Sequence, residues 1–128
     1  MNGKSWGINW LANSSVILII IVMLSIFKGI FSNDDKALKE VLVKNNPQLI
    51  DVRMPLEFNG GTVKDAKNIP LSELESKLGS LDKSKTIVVF CQSGNRSSQA
   101  MRILQNKGFE KVHNGGGWRA LKSLVESN

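Results

Sequence analysis

The sequence predicts an α/β fold, a central parallel β-sheet flanked by helices and preceded by one N-terminal transmembrane helix. Three observations predict it. No charged residue lies between Ser5 and Phe27, a stretch that holds the apolar run "VILIIIVMLSIF" (Val16 to Phe27). Further along, "KTIVVF" (Lys85 to Phe90) is a continuous β-branched run, the mark of a central parallel strand covered on both faces. After position 31, strand-like runs alternate with segments of helical period, which argues for a parallel sheet between helices. The 128 residues therefore divide into a transmembrane anchor over 1–31 and a domain over 32–128, long enough for an α/β fold.

Each element has its own justification. The uncharged stretch from Ser5 supplies the ~20 residues needed to cross a bilayer, and Trp6 and Trp10 suit an interfacial aromatic belt. A cleaved secretory signal is the competing reading, since Lys4 gives a basic start. The bulky "SIFKGIFS" (Ser25 to Ser32) offers no small-residue cleavage site, which favours an uncleaved, single-pass anchor. Lys28, Lys36, Lys39 and Lys44 follow the span and Lys4 alone precedes it, so the domain is expected on the cytoplasmic side.

"SNDD" (Ser32 to Asp35) reads as a capping box opening a helix through Val43, with Leu38, Val41 and Leu42 on one face and Asn45, Asn46 and Pro47 ending it. "QLIDV" (Gln48 to Val52) reads as a buried strand, and "MPLEF" as a short helix or turn with Pro55 at its first position. A loop then leads to a short strand near Ala66 to Ile69. Ser72 and Glu75 form a second capping box ahead of another helix. Ala100, Met101 and Leu104 share a helical face, and Gly108 stops that helix. "EKVHN" (Glu110 to Asn114) is the last strand, Gly115 to Gly117 a turn, and "WRALKSLVE" the last helix with Trp118, Leu121 and Val125 inward. Any additional first strand would have to come from Gly29 to Phe31, so it is short or missing.

Composition narrows the chemistry. With 17 basic and 11 acidic residues the chain is basic, and six basic residues against Glu110 alone lie from Arg96 to Lys122, a field that attracts small anions. Long basic runs and aromatic RNA-binding signatures are missing, which excludes nucleic acid as a partner. With one cysteine, Cys91, and one histidine, His113, no protein metal site is expected. His113, within a strand, is read as packing or exposed rather than catalytic.

Cys91 stands where the β-branched run stops and a polar loop begins. In parallel sheets, sites form at the carboxyl ends of strands. Backbone N–H groups of the following loop can converge there, helped by Gly94 and by the positive end of a helix expected to begin near Ser97. Those donors and Arg96 favour a thiolate, the nucleophilic form.

At these residues the chain resembles the rhodanese family of sulfurtransferases, over about Asn33 to Val125. The motifs that carry the resemblance are "LIDVRMPLEF", "NIPLSEL", "IVVFCQSGNRS", "LQNKGFEKV" and "NGGGW", in that order. The resemblance implies a rhodanese-like fold in which Cys91 accepts sulfur as a persulfide. The backbone of Gln92, Ser93, Gly94, Asn95, Arg96 and Ser97 then forms the cradle, and Arg96 completes it as a cation. Asp51 and Arg53 match the family's "DVR", where a bracing role is expected. Where the family often has "GHIxGAxNIP", this chain has "GTVKDAKNIP": Thr62 replaces a His and Asp65 a Gly. Phosphatases and arsenate reductases of related fold place five residues between Cys and Arg, whereas this loop has four, the sulfurtransferase form.

The expected activity is transfer of sulfane sulfur from thiosulfate or a related anionic donor to cyanide or a thiol, without a dissociable cofactor. The alternative is a membrane-tethered sulfur carrier or docking module serving a protein acceptor, with little free thiosulfate turnover.

Overall fold

The structure, a computed structural model, describes residues 13–128, with 27–33 described only as backbone. Two compact units divide it, the first ending at Ala37 and the second Leu38–Asn128. The first helix, α1, spans Ser14–Asn45. It runs through Ser32, so "SNDD" opens no helix. A capping box acts where a chain enters a helix from extended backbone, and the residues before Ser32 are already helical. The same helix passes through 29–31, where a strand had been considered.

The expected transmembrane helix is not found: among the described residues no helix is long and apolar enough to cross a membrane. The apolar run whose side chains are described in the first part of α1 extends from Val16 to Ile26. That segment rises only about 16 Å against a hydrocarbon core of ~30 Å. Residues 5–12, with Trp6 and Trp10, and the side chains of 27–33 lie outside the described residues.

In the second unit α1 ends at Asn45, Asn46 takes a φ of 41° and Pro47 follows, the stop that the sequence predicts. The elements after it are β1 (Gln48–Asp51), α2 (Pro55–Asn59), β2 (Lys67–Asn68), β3 (Ile87–Cys91), α3 (Asn95–Asn106), β4 (Val112–Gly117) and α4 (Trp118–Glu126). All strand pairs are parallel, in the order β2-β1-β3-β4.

Every residue of β3 is buried, and alternation along the strand sends its side chains to two different layers. Ile87, Val89 and Cys91 pack with Ile50, Val52, Ala100, Leu104 and Phe109. Val88 and Phe90 pack on the other face with Val63 and Leu121, and Leu38, Val41, Leu42 and Val125 close that layer. Both faces are therefore covered by helices, which is why β3 reads as an unbroken apolar run.

Two further expectations need correction. Residues 71–80 form 3₁₀ turns, Leu71–Glu73 and Glu75–Ser80, not a helix capped by Ser72. Pro70 already takes the N-cap position, so Ser72 falls inside the first turn, and fully buried Leu74 anchors the segment between the two. Gly115 to Gly117 are not a turn but the end of β4, where Gly116 and Gly117 pair with Phe90 and Cys91 across a register shift. A Cβ on Gly115 would stand 2.8 Å from Val88 Cγ1, and one on Gly117 2.8 Å from the Gln92 carbonyl oxygen. Only glycine lets β4 lie this close to β3 and its loop.

Candidate active site

β3 delivers Cys91 to the carboxyl edge of the sheet, with its side chain buried on the α3 side. The loop turns back at Gly94, whose φ of 99° is open to glycine at little cost, and α3 starts directly afterwards at Asn95, two residues earlier than expected. This tight return aims the Gly94 N–H at the Cys91 Sγ, 3.0 Å away. Ser97, fully buried in the first turn of α3, brings its Oγ to 3.5 Å from the same sulfur. Burial pushes the thiol up, yet the Ser97 hydroxyl and the backbone N–H groups of Ser97, Ser93 and Gly94 outweigh it, so the Cys91 pKa is lowered. No acidic side chain occupies the first turn of α3, whose dipole therefore presents an unopposed positive end.

The expected cradle residues divide by what they do. Gly94, Ser93 and Ser97 act on the sulfur. Gln92 is exposed and turns its amide oxygen to accept from Trp118 Nε1 at 3.1 Å. Asn95 is exposed as the first residue of α3. Arg96 makes a two-pronged ion pair with Glu57 of α2, Nη1 to Oε1 at 2.7 Å and Nη2 to Oε2 at 3.0 Å. Glu57 also accepts from the Met54 N–H at 3.2 Å, which fixes it at the start of α2. The Arg96 hydrogen bonds hold the Glu57 carboxyl at about 2, well below its usual value. The Arg96 pKa is raised, chiefly by those same hydrogen bonds, with burial opposing and the charges of Glu57 and Cys91 adding.

Asn114 of β4 supports the cup from behind. Its Oδ1 accepts from Ser97 Oγ at 2.7 Å and from the Gly116 N–H at 2.9 Å, while its Nδ2 donates to the Gly94 carbonyl at 3.2 Å. The Gly116 bond settles which end of the amide faces Ser97. Glu57, Asn114 and the Trp118–Gln92 contact were not singled out by the sequence. Glu57 and Asn114 each lay inside a quoted motif, but contacts across 39 and 17 residues leave no local signature.

Asp51 and Arg53 brace the structure, as expected. Arg53 Nη2 meets Asp51 Oδ2 at 2.7 Å, with side chains 2% and 0% exposed, and the same nitrogen donates to the Gly61 carbonyl at 2.6 Å. The guanidinium also stacks on Trp118, 4.8 Å from the ring centroid, and Arg119 stacks on that ring at 4.7 Å. Thr62, which stands where the family often has His, donates to Asp51 Oδ2 at 2.8 Å. Asp65 adopts φ 63°, the left-handed region that explains a Gly preference there and that Asp tolerates. His113 is half-buried in β4 opposite Val88, four residues before the Gly117 that pairs with Cys91.

A buried cysteine at a strand end, a short amide-lined loop and a helix N-terminus on a parallel sheet define a protein of the rhodanese class. The family model for the Rhodanese-like domain matches residues 34–124, and the chain belongs to that family. Among curated proteins it is 40% identical over 70 residues to the thiosulfate sulfurtransferase PspE of Escherichia coli, covering 53% of this chain and 67% of that one. It is also 40% identical over 67 residues to the uncharacterized protein YqhL of Bacillus subtilis, covering 52% and 53%. The chain thus spans about half the length of YqhL. Among solved structures, a rhodanese with anions from E. coli superposes with a TM-score of 0.55 at 37% identity, covering 58% of this chain and 89% of that one.

Proposed function

We propose that this chain is a sulfurtransferase that carries sulfane sulfur as a persulfide on Cys91. The observation that carries the reading is the cup itself, a buried sulfur with an amide N–H at 3.0 Å and a hydroxyl at 3.5 Å, in a chain of this family. Family relatives named as sulfurtransferases lend it support.

Cys91 thiolate attacks the outer sulfur of a donor such as thiosulfate. The donor's sulfur–sulfur bond breaks, its electron pair leaves with sulfite, and Cys91 becomes a persulfide. The terminal sulfur, now carrying the negative charge, is stabilised by the positive end of α3, while the Gly94 N–H holds the Cys91 Sγ beside it. Cyanide or a thiol then attacks that sulfur, leaves as thiocyanate or a new persulfide, and restores the thiolate. No dissociable cofactor enters either step. In the donor-to-cyanide assay the two half-reactions give ping-pong kinetics, and Cys91→Ser abolishes them. A Cys91→Ser protein with undiminished turnover would refute the assignment.

The chain's location belongs to the same proposal. Side chains from Ile17 to Ile26 in α1 are exposed by 42% to 65%. A helix apolar on all sides needs an apolar phase around it. Association with a membrane, with the sulfur-carrying domain on the cytoplasmic side and a protein or small thiol as acceptor, satisfies that need.

A further inference from the structure

Arg96, the cation expected to draw anionic donors to the cup, is not a free charge. Both of its terminal nitrogens are engaged by one carboxylate, at 2.7 and 3.0 Å. That carboxylate is itself tied to the backbone of α2 through the Met54 N–H. Arg53, the other guanidinium held in the site, is matched by Asp51. Arg96 and Arg53 are therefore each paired with a fixed anion, and the groups that contact the sulfur are uncharged, the Gly94 N–H and the Ser97 hydroxyl, at the positive end of α3. With its carboxyl held at about 2, Glu57 stays ionised throughout the neutral range.

We propose that Glu57 is a specificity-determining residue that acts through Arg96, neutralising it so that the site disfavours dianionic sulfur donors and prefers donors of low charge, such as the persulfide of a thiol. The proposal rests on the sulfur-transfer reading and narrows its substrate class. Its physical content is a repulsion that scales with probe charge. A dianion meets the Glu57 carboxylate with twice the energy of a monoanion at the same distance, and a neutral molecule meets it with none.

The test uses Glu57→Gln in the full chain, which keeps the side-chain volume and an oxygen to accept from Arg96 while removing the charge. Four probes report on Cys91: thiosulfate, a dianion; methanethiosulfonate, a monoanion that gives up its outer sulfur and leaves as the sulfinate; iodoacetate, a monoanion; and neutral iodoacetamide. In a two-step exchange kcat/KM for the donor does not depend on the acceptor, so it reports the first transfer alone. Each rate is divided by that for iodoacetamide, which removes any change in the thiolate fraction. Glu57→Gln is expected to raise the thiosulfate value about tenfold and the two monoanion values about threefold, the square root that a halved charge requires. The gains shrink as salt is added. Equal changes for all four probes, or a fall for the anions, would reduce Glu57 to a structural brace and overturn the proposal. If neither donor transfers sulfur to either protein, the sulfur-transfer reading fails, whereas the iodoacetate-to-iodoacetamide ratio still decides whether Glu57 screens the cup.

Discussion

Ser97 has one proton and three acceptors around it, Asn114 Oδ1 at 2.7 Å, the Gly94 carbonyl at 3.1 Å and the Cys91 sulfur at 3.5 Å. When Cys91 is a thiol, the hydroxyl can donate to Asn114 and accept from the S–H. When Cys91 is a thiolate, donation to the sulfur competes with donation to Asn114. The rate of Cys91 alkylation by iodoacetamide should therefore rise with a midpoint below that of a free cysteine, and Ser97→Ala should move that midpoint upward. A Ser97→Ala profile identical to the parent would mean the backbone amides suffice. The linked stability contributions have the same sign and fall in different pH windows. Cys91, with a lowered pKa, adds stability that is complete above the unfolded thiol's value and is lost as pH falls through the folded one. For Glu57 the loss runs as pH falls from 4.5 toward about 2, so its ion pair is constant at neutral pH. Cys91 was legible in the sequence because a lone cysteine ended a β-branched run. The occupation of Arg96 was not, because charge pairing between α2 and α3 is a property of the packed structure.

Elements were legible where burial dictated their pattern. β3 read correctly because both faces are covered, and α4 because Leu121 and Val125 recur at helical spacing on the packed side. Local capping signals misled at Ser32, where the chain was already helical, and at Ser72, where Pro70 already held the N-cap position. The end of β4 was obscured for a different reason. Three consecutive glycines resemble a turn on paper, but here they are what close approach to β3 requires. Gly115→Ala would drive a methyl into Val88 and Leu121, at 2.8 and 3.0 Å, and is expected to destabilise the domain by about 1–3 kcal/mol in urea unfolding. Gly79→Ala, with nothing within 4 Å of the added carbon, should change stability by less than about 0.5 kcal/mol. Equal effects at the two positions would contradict the packing described for β4.

At the scale of the whole molecule, the α/β unit needs α1 only from Leu38 onward, where Leu38, Val41 and Leu42 close one layer of the core. The apolar side chains from Val16 to Ile26 belong to neither core layer of that unit. If they hold it at a membrane, the full chain should remain with the membrane fraction through high-salt and carbonate washes, and its release by salt would remove that proposal. The central claim, that Cys91 carries sulfur, is tested most directly by the intact mass of the full chain after exposure to a sulfane donor. Thiosulfate and methanethiosulfonate are used in parallel so that donor charge does not decide the outcome. The account predicts a gain of one sulfur atom, its removal by cyanide and no gain in Cys91→Ser. An unchanged mass with both donors, while Cys91 still alkylates freely with iodoacetamide, would contradict it.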